Sequence, residues 1–266
     1  MSRDGSVRRP ASRLTASGSE MLQETVAEEV AVALVYNGIS HAVMMATPCD
    51  LEDFARGFSL TERIVDRPSE IYDIEVGTVG RGIEVRLEIA AQRMAGLQER
   101  RRSLAGRTGC GLCGVDSLDA ALRTVAAVSS PHPVARRSIE RAMAGLPEHQ
   151  KINRANGATH AAGWASADGT LVAVREDVGR HNALDKLAGA LARSGGAEPG
   201  GFVVVTSRCS YEMVQKAGAI GASAIAAVSA PTSLAIETAE QAGVALVAFV
   251  REGRLTVYAH ADRITA

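Results

Sequence analysis

The stretch that decides the fold class is Phe202–Pro231, FVVVTSRCSYEMVQKAGAIGASAIAAVSAP. It contains two short apolar segments, 202–206 and 224–229, and an alanine-containing segment over 210–220 between them. Short apolar strands that alternate with helices are typical of a parallel or mixed sheet covered on both faces. The sequence therefore predicts an α/β layered unit around this stretch.

The same alternation continues on both sides of this stretch and predicts one unit over 116–266. The predicted helices and strands are helices 116–128, 135–145 and 180–192, a hairpin that turns at Asp168-Gly169, helix 233–242, and strands 244–250 and 254–258. The predicted architecture is a three-layer α/β/α domain with a mixed sheet, so the fold class is α/β, and α+β overall.

The first half of the chain has a different pattern. Asn37-Gly38 separates two apolar runs, which is the strongest short-range signal of a β-hairpin. A helix is predicted from Asp50, as N-cap, to Ile64, and the alternating segments 71–76 and 83–89 predict half-buried strands. Residues 21–115 are therefore predicted to form a small α+β domain.

Composition limits the classes of function. Residues 1–20 are rich in Ser, Arg, Gly and Ala, which predicts a disordered tail, and no apolar signal-peptide segment follows their arginines. The net charge of −1 and the 3% aromatic content predict no nucleic-acid partner. No apolar run approaches the roughly 18 residues of a membrane span. We therefore expect a cytoplasmic protein with free thiols and no membrane partner.

Two cysteines lie in a glycine-rich segment, Arg107–Gly114 (RTGCGLCG), at Cys110 and Cys113. Residues 93–107 contain five arginines and one acid, and neighbouring cations favour the nucleophilic thiolate form of cysteine. Flanking glycines favour the mobile loop that a sulfur carrier needs. The pattern predicts that Cys110 carries a persulfide and that Cys113 assists or receives it.

Other uses of this pair stay open as alternatives. A structural zinc site usually needs four ligands, and only one Cys-x-x-Cys pair is present, so no permanently bound metal is predicted. A thioredoxin-like pair should follow a strand and open a helix, and here it follows an arginine-rich segment. The glycines at 109, 111 and 114 match a dinucleotide fingerprint formally, but no buried strand precedes them.

Polar residues are concentrated in Arg175–Lys186 (REDVGRHNALDK), at a predicted strand-to-helix transition. Asp177, His181 and Asp185 are four residues apart, which allows some of them to share a helix face. Alternatively, Asp177 is a helix cap and His181 makes an ordinary polar contact.

Three further segments are candidates for binding phosphate. Thr206–Ser210, which includes Ser207 and Arg208, and 229–233 follow strands and open helices, where free N–H groups attract anions. In the segment Phe249–Arg254 (FVREGR), Arg251 and Arg254 suit phosphate oxygens. The alternatives are capping by the serines at 210 and 233, and a simple hairpin turn at 251–254.

In order and content, Arg107–Gly114, Arg175–Leu187, Thr206–Ala217 with 229–231, and Phe249–Arg254 resemble the FdhD family of formate dehydrogenase accessory sulfurtransferases. The resemblance runs from about residue 25 to the C-terminus, and its most specific part is Glu-Asp-Val-Gly-Arg-His-Asn over 176–182. It implies a sulfurtransferase that takes persulfide sulfur from a cysteine desulfurase and passes it to the molybdenum (or tungsten) bis-guanine-dinucleotide cofactor of formate dehydrogenase.

Residue by residue, the resemblance makes Cys110 the persulfide-bearing residue and Cys113 its partner. It makes one segment the contact with the bound cofactor: Phe249, Val250, Arg251, Glu252, Gly253 and Arg254. The same pocket is also predicted to contain Ser207, Arg208 and His181. The resemblance also implies a homodimer and a fold similar to that of cytidine deaminases. Deaminase chemistry is not expected, because His181-Asn182-Ala183 lacks the required Glu and Cys209 lacks a second Cys.

Two rival functions follow from the same residues. The first is a non-catalytic cofactor-binding chaperone whose Cys-x-x-Cys pair grips a metal. The second is a nucleotide-dependent redox enzyme, which the misplaced dinucleotide fingerprint disfavours. The sequence does not specify molybdenum or tungsten, which formate dehydrogenase is served, or whether Cys113 is essential.

Overall fold

The computed structural model describes residues 5–97, 127–128, 132–251 and 253–266. In its first part a separate two-stranded hairpin precedes a four-stranded sheet of order β4-β3-β6-β5. The elements are β1 (Ser6–Thr15), β2 (Gly18–Ala27), β3 (Val30–Tyr36), β4 (Ile39–Ala46), α1 (Leu51–Thr61), β5 (Ile71–Val79), β6 (Gly82–Ile89) and α2 (91–97).

One face of the four-stranded sheet is buried under α1 and α2. Phe54 and Phe58 of α1 and Met94 of α2 pack with the apolar side chains of the strands. The predicted hairpin at Asn37-Gly38 is confirmed, since both residues have the positive φ angles, 47° and 78°, that a tight β-turn requires. Asn37 also exchanges two hydrogen bonds with the backbone of Ile89, of 3.0 and 2.8 Å.

The prediction of a disordered tail over residues 1–20 is wrong from Ser6 onward. Ser6–Thr15 pairs in antiparallel register with Gly18–Ala27, and an ion pair of 2.8 Å joins Arg13 to Glu24. Most side chains of these two strands stay in solvent, so their polar sequence contains no strand signal. The two strands satisfy each other's backbone groups instead. Pairing between the two strands, the Arg13–Glu24 ion pair and the hydrogen bond from Asn156 to Ser6 therefore order a segment that has no apolar alternation.

The second part is built on a six-stranded mixed sheet of order β13-β12-β11-β10-β8-β9. Its elements are β7 (Val134–Ala135), α3 (Arg136–His149), α4 (Lys151–Asn156), β8 (His160–Ala165), β9 (Leu171–Asp177), α5 (Arg180–Arg193), β10 (Phe202–Val205), α6 (Tyr211–Ala219), β11 (Ala224–Ala227), α7 (Ser233–Ala242), β12 (Ala245–Arg251), β13 (Arg254–Ala259) and β14 (Ile264–Thr265). Strands β10, β11 and β12 are parallel, and β7 pairs separately with β14.

Helices cover both faces of the six-stranded sheet. Apolar residues of α5, α6 and α7 form one core with the strands, and α3 forms a second core on the opposite face. The predicted three-layer arrangement with a mixed sheet is therefore confirmed. No helix in the described ranges is long and apolar enough to cross a membrane.

The two parts meet where α1 crosses α5. A Cβ atom added at Gly57 would lie 1.7 Å from the carbonyl oxygen of Asp185, and one added at Gly189 would lie 1.8 Å from that of Asp53. The buried Asp53 carboxylate also accepts hydrogen bonds from Arg175 and Arg193 at distances of 2.7 to 3.1 Å. The domain boundary predicted near residue 115 lies outside the described residues and stays a prediction.

Thr232, and not the predicted Ser233, caps α7. Thr232 Oγ1 accepts the backbone N–H of Ala235 at 3.2 Å. We expect Thr232→Ala to lower the free energy of unfolding by about 1 kcal/mol in urea titrations, because one amide at the helix start loses its acceptor. Ser233→Ala is the matched control, and an equal loss in both variants would contradict the assignment.

Candidate functional site

The ends of four strands place the candidate binding residues along one edge of the six-stranded sheet. Strand β8 is antiparallel to both β10 and β9, so β9 runs in the same direction as the parallel strands β10, β11 and β12. We call the edge where these four strands end the carboxyl edge. It consists of residues 177–181, 206–210, 228–232 and 249–251.

Backbone hydrogen bonds fix the loops of the carboxyl edge against each other. The N–H of Cys209 donates to the carbonyl of Ala230, and the N–H of Thr232 donates to that of Cys209, both at 3.1 Å. The N–H of Phe249 reaches the carbonyl of Ser229 at 3.4 Å. The loops after β10, β11 and β12 are therefore contiguous, and they bring the predicted residues near 208 and 249 to one surface.

In the loop after β10, the predicted residues differ in what they offer to a ligand. Ser207 is buried, and its hydroxyl donates to the backbone carbonyl of Arg208 at 2.8 Å. Arg208 is exposed. Burial raises the pKa of the neighbouring Cys209 thiol to about 12, so this thiol stays protonated and unreactive. Arg208 is the exposed side chain of this loop, and Thr206 and Ser210 are half-buried.

Phe249 has an unusual backbone conformation at the end of β12. Its φ angle is +54°, in the left-handed region, and the pairing of β12 with β13 is irregular between Ala248 and Arg251. A bulky residue held in this conformation stores strain, and such strain is concentrated at binding and catalytic sites. The guanidinium of Arg251 lies 5.7 Å from the centroid of the Phe249 ring, whereas Val250 is buried in the core.

The end of the β12–β13 hairpin places two arginines side by side. Arg251 pairs directly with Arg254 in the strand register, and both are exposed. A third arginine, Arg136, donates to the carbonyl of Gly253 at 2.9 Å. Glu252 lies outside the described residues.

Two residues of the segment Glu176–Lys186, Asp177 and Lys186, join the second part of the protein to the first. Asp177 is fully buried, and its Oδ2 accepts from the backbone N–H and hydroxyl of Thr47 at 3.0 and 2.8 Å and lies 2.7 Å from Lys186 Nζ. Its Oδ1 accepts from the N–H of Gly179 and the amide of Asn182. Asp177 is therefore a structural residue that fixes the start of α5 and joins it to the first part.

A second buried charge cluster is centred on Asp185, the residue of α5 that directly precedes Lys186. Lys216 Nζ is 2.7 Å from Asp185 Oδ1 and 2.9 Å from Glu62 Oε1, and the hydroxyl of Thr61 donates to Asp185 Oδ1 at 2.6 Å. Burial opposes the charge of Lys216, but attraction to Asp185 and then to Glu62 outweighs burial and raises the pKa of this amine. The ammonium therefore stays charged and connects α6 to both parts.

His181 faces the carboxyl edge from the first turn of α5. Its Nε2 lies 2.8 Å from Glu212 Oε2 and 3.5 Å from the hydroxyl of Ser210. Ser210 occupies the N-cap position of α6 but makes no capping bond, so the alternative of a capping role is wrong for this serine. Sequence reasoning missed Glu212. The available signal was spacing, since residues 181 and 185 of one helix face residues 212 and 216 of the next.

The two cysteines of the predicted sulfur loop, Cys110 and Cys113, lie outside the described residues, so their position relative to the carboxyl edge stays a prediction. Within the described ranges, no group of three or more His, Cys, Asp and Glu side chains is arranged to hold a metal ion. The carboxyl edge offers instead arginines, an imidazole and the starts of three helices, which are groups that bind phosphate.

Known proteins share both the sequence and the fold. Proteins named sulfur carrier protein FdhD are 60% identical over 241 residues in Cupriavidus necator (91% of this chain, 84% of the relative) and 51% identical over 247 residues in Bordetella petrii (93% and 89%). A crystal structure assigned as a formate dehydrogenase accessory protein from Desulfotalea psychrophila has a TM-score of 0.78 at 23% identity, covering 98% of this chain and 99% of its own. The model of the FdhD/NarQ family matches residues 27–265. The chain therefore belongs to the FdhD/NarQ family.

Proposed function

We propose that this protein is a sulfurtransferase that carries sulfur as a persulfide on Cys110 and delivers it to a molybdenum or tungsten bis-guanine-dinucleotide cofactor. The observation that supports the proposal most directly is the carboxyl edge, since its segments after β9 and β10 and at the end of β12 contain His181, Arg208 and Arg251. The chain also belongs to a family of this kind. The names of the curated relatives, which are sulfur carrier proteins, agree with this role.

The acceptor is a substrate of the protein, and its phosphates are the groups that the carboxyl edge suits best. Arginine forms charge-assisted, often bidentate hydrogen bonds to phosphate oxygens. A pyrophosphate bound at the end of the β12–β13 hairpin would accept hydrogen bonds from the guanidinium groups of Arg251 and Arg254, which are paired in the strand register. The strained backbone at Phe249 holds its ring beside Arg251, next to this phosphate position.

The chemistry of loading is a thiol exchange. The Cys110 thiolate attacks the outer sulfur of a persulfide on a cysteine desulfurase. The S–S bond of the donor breaks, the donor cysteine leaves as a thiolate, and the outer sulfur remains on Cys110. In the second transfer the Cys113 thiolate attacks the inner sulfur of the Cys110 persulfide. The S–S bond of the persulfide breaks, a Cys110–Cys113 disulfide forms, and the outer sulfur leaves at the sulfide level for the acceptor. The arginines of residues 100–107 favour the ionised form of the Cys110 thiol and the ionised form of its persulfide.

The partners follow from the same proposal. They are a cysteine desulfurase as donor, the molybdenum cofactor as acceptor, and a formate dehydrogenase as the enzyme that receives the finished cofactor. We propose that these contacts take place in the cytoplasm and that the protein acts as a homodimer. Light scattering of the purified protein measures the oligomeric state directly.

Mass spectrometry of the intact protein tests the sulfur-carrier role. After incubation with a cysteine desulfurase and free cysteine, we expect the wild-type chain to gain the mass of one sulfur atom and to lose it on treatment with cyanide or a thiol reductant. Cys110→Ser should show no gain, because it lacks the thiolate that attacks the donor. Cys113→Ser should still be loaded.

Cys49 provides the matched control, since it is a free, half-buried cysteine of the first part. Cys49→Ser should be loaded like the wild type. Sulfur that persists in Cys110→Ser but disappears in Cys49→Ser would overturn the assignment. A wild-type chain that binds guanosine diphosphate but never gains sulfur would favour the cofactor-binding chaperone.

A further inference from the structure

His181 and Glu212 contact each other at the carboxyl edge. Nε2 of the imidazole lies 2.8 Å from Oε2 of the carboxylate, and the two side chains keep 29% and 44% of their surfaces exposed. His181 is the second residue of α5, and Glu212 is the second residue of α6. The pair therefore bridges the starts of two neighbouring helices, at the carboxyl edge, and remains accessible to a ligand.

The charges around this pair keep the carboxylate ionised. The hydrogen bond with His181 is the main cause that lowers the pKa of Glu212; burial opposes it, and attraction to His181, Lys216 and Arg180 adds to it. His160, at the start of β8, is a further neighbour, and burial, followed by repulsion from Arg180 and His181, lowers its pKa. An ionised Glu212 accepts a hydrogen bond, so the imidazole nitrogen that faces it is the protonated one.

A carboxylate in this position controls both the orientation and the hydrogen-bonding state of an imidazole. It holds the ring in one rotamer and assigns one ring nitrogen as the donor toward itself. The other nitrogen is then the atom that meets a ligand. When the ligand is an anion, the carboxylate compensates the positive charge of a doubly protonated ring, as the aspartate does in a Ser-His-Asp triad.

We propose that Glu212 is a positioning residue that accepts the Nε2–H of His181 and stabilises the imidazolium form of the ring in the ligand complex, in which Nδ1–H donates to a phosphate oxygen of the acceptor bound at the carboxyl edge. The proposal rests on the proposed function for the identity of the acceptor. Glu212 itself does not touch the ligand. Its contribution passes through His181, and this indirect action makes a specific prediction about double variants.

Calorimetric titration measures how much Glu212 and His181 contribute to the affinity for a phosphate-containing ligand. The probes are guanosine diphosphate and guanosine, which lacks the phosphates. We expect Glu212→Gln and His181→Gln each to weaken the binding of guanosine diphosphate about tenfold. Guanosine binding should not change. The Glu212→Gln/His181→Gln double variant should bind no more weakly than His181→Gln alone, because the carboxylate has nothing left to position. Glu212→Asp should recover part of the affinity.

Two further measurements separate positioning from a structural role and from the sulfur chemistry. In the guanosine diphosphate complex, the ring ¹⁵N shifts of His181 should report two protonated nitrogens in the wild type and a larger fraction of the neutral ring in Glu212→Gln. Glu237→Gln, on the exposed surface of α7, is the matched control and should bind normally. Persulfide loading of Cys110 should be unchanged in Glu212→Gln, so a failure of the sulfur-carrier role is seen separately.

Two outcomes would overturn the proposal. One is a Glu212→Gln variant that binds guanosine diphosphate like the wild type. The other is an additive loss in the double variant, which would show that Glu212 acts independently of His181.

Discussion

Lys186→Met is expected to lower the free energy of unfolding by about 3–5 kcal/mol, because it leaves a carboxylate without its counter-ion in the interior. Lys186 and Asp177 have no exposed side-chain surface, and their charged atoms are 2.7 Å apart. The ammonium also donates to the hydroxyl of Thr47 at 2.7 Å. Methionine is close to lysine in length and fills the same volume, so the loss reports the charge and its hydrogen bonds and not a cavity.

Urea unfolding followed by circular dichroism measures this loss. Lys151→Met, at an exposed lysine, is the matched control and should change stability little. The Asp177→Asn/Lys186→Met double variant should recover part of the loss, because the unpaired charge is then removed. A single variant within about 1 kcal/mol of the wild type would contradict the prediction, since loss of a partner from a buried ion pair costs more than this.

Gly189→Ala is expected to destabilise the protein by about 3 kcal/mol, although alanine is the better helix former. The added methyl group would lie 1.8 Å from the carbonyl oxygen of Asp53, so α1 and α5 must move apart. The obstacle is backbone and cannot rotate away. The separation also weakens the hydrogen bonds of Asp53 with Arg175 and Arg193.

Gly96→Ala supplies the control for this second prediction. Gly96 also lies in a helix, but no atom lies within 4 Å of the position of its added Cβ. Only the higher helix propensity of alanine then acts, and we expect this variant to raise the free energy of unfolding by up to about 1 kcal/mol. In the same urea titration, the free energy of unfolding should fall for Gly189→Ala and rise for Gly96→Ala. This difference would identify the contact between α1 and α5 as the cause, and changes of the same sign would contradict it.

The sequence predicts elements where local pattern determines them. The hairpin at Asn37-Gly38, the strands over 202–206 and 224–229 and the helix over 233–242 are confirmed with small shifts at their ends. The hairpin that begins at Ser6 is missed, because its order comes from pairing with a second polar segment and not from its own periodicity. Local pattern does not contain that information.

The polar segment Glu176–Lys186 shows the same limit at the site. Spacing predicts a shared helix face, and His181 and Asp185 do share the face of α5 that meets α6. Asp177 lies before the helix, at the end of β9, and points into the junction. One dense motif therefore serves two purposes, and only the partners from distant parts of the chain, Thr47 and Glu212, distinguish them.

The contact between α1 and α5 has a consequence for the order of events during synthesis. Gly57 leaves the ribosome more than a hundred residues ahead of Gly189, so the amino-terminal part completes its own sheet while the partner helix is still missing. Contacts between residues so far apart in sequence form late and slowly. The nascent chain therefore exposes the glycine-containing face of α1 until α5 has been translated, and a pause in translation before residue 180 prolongs this exposure.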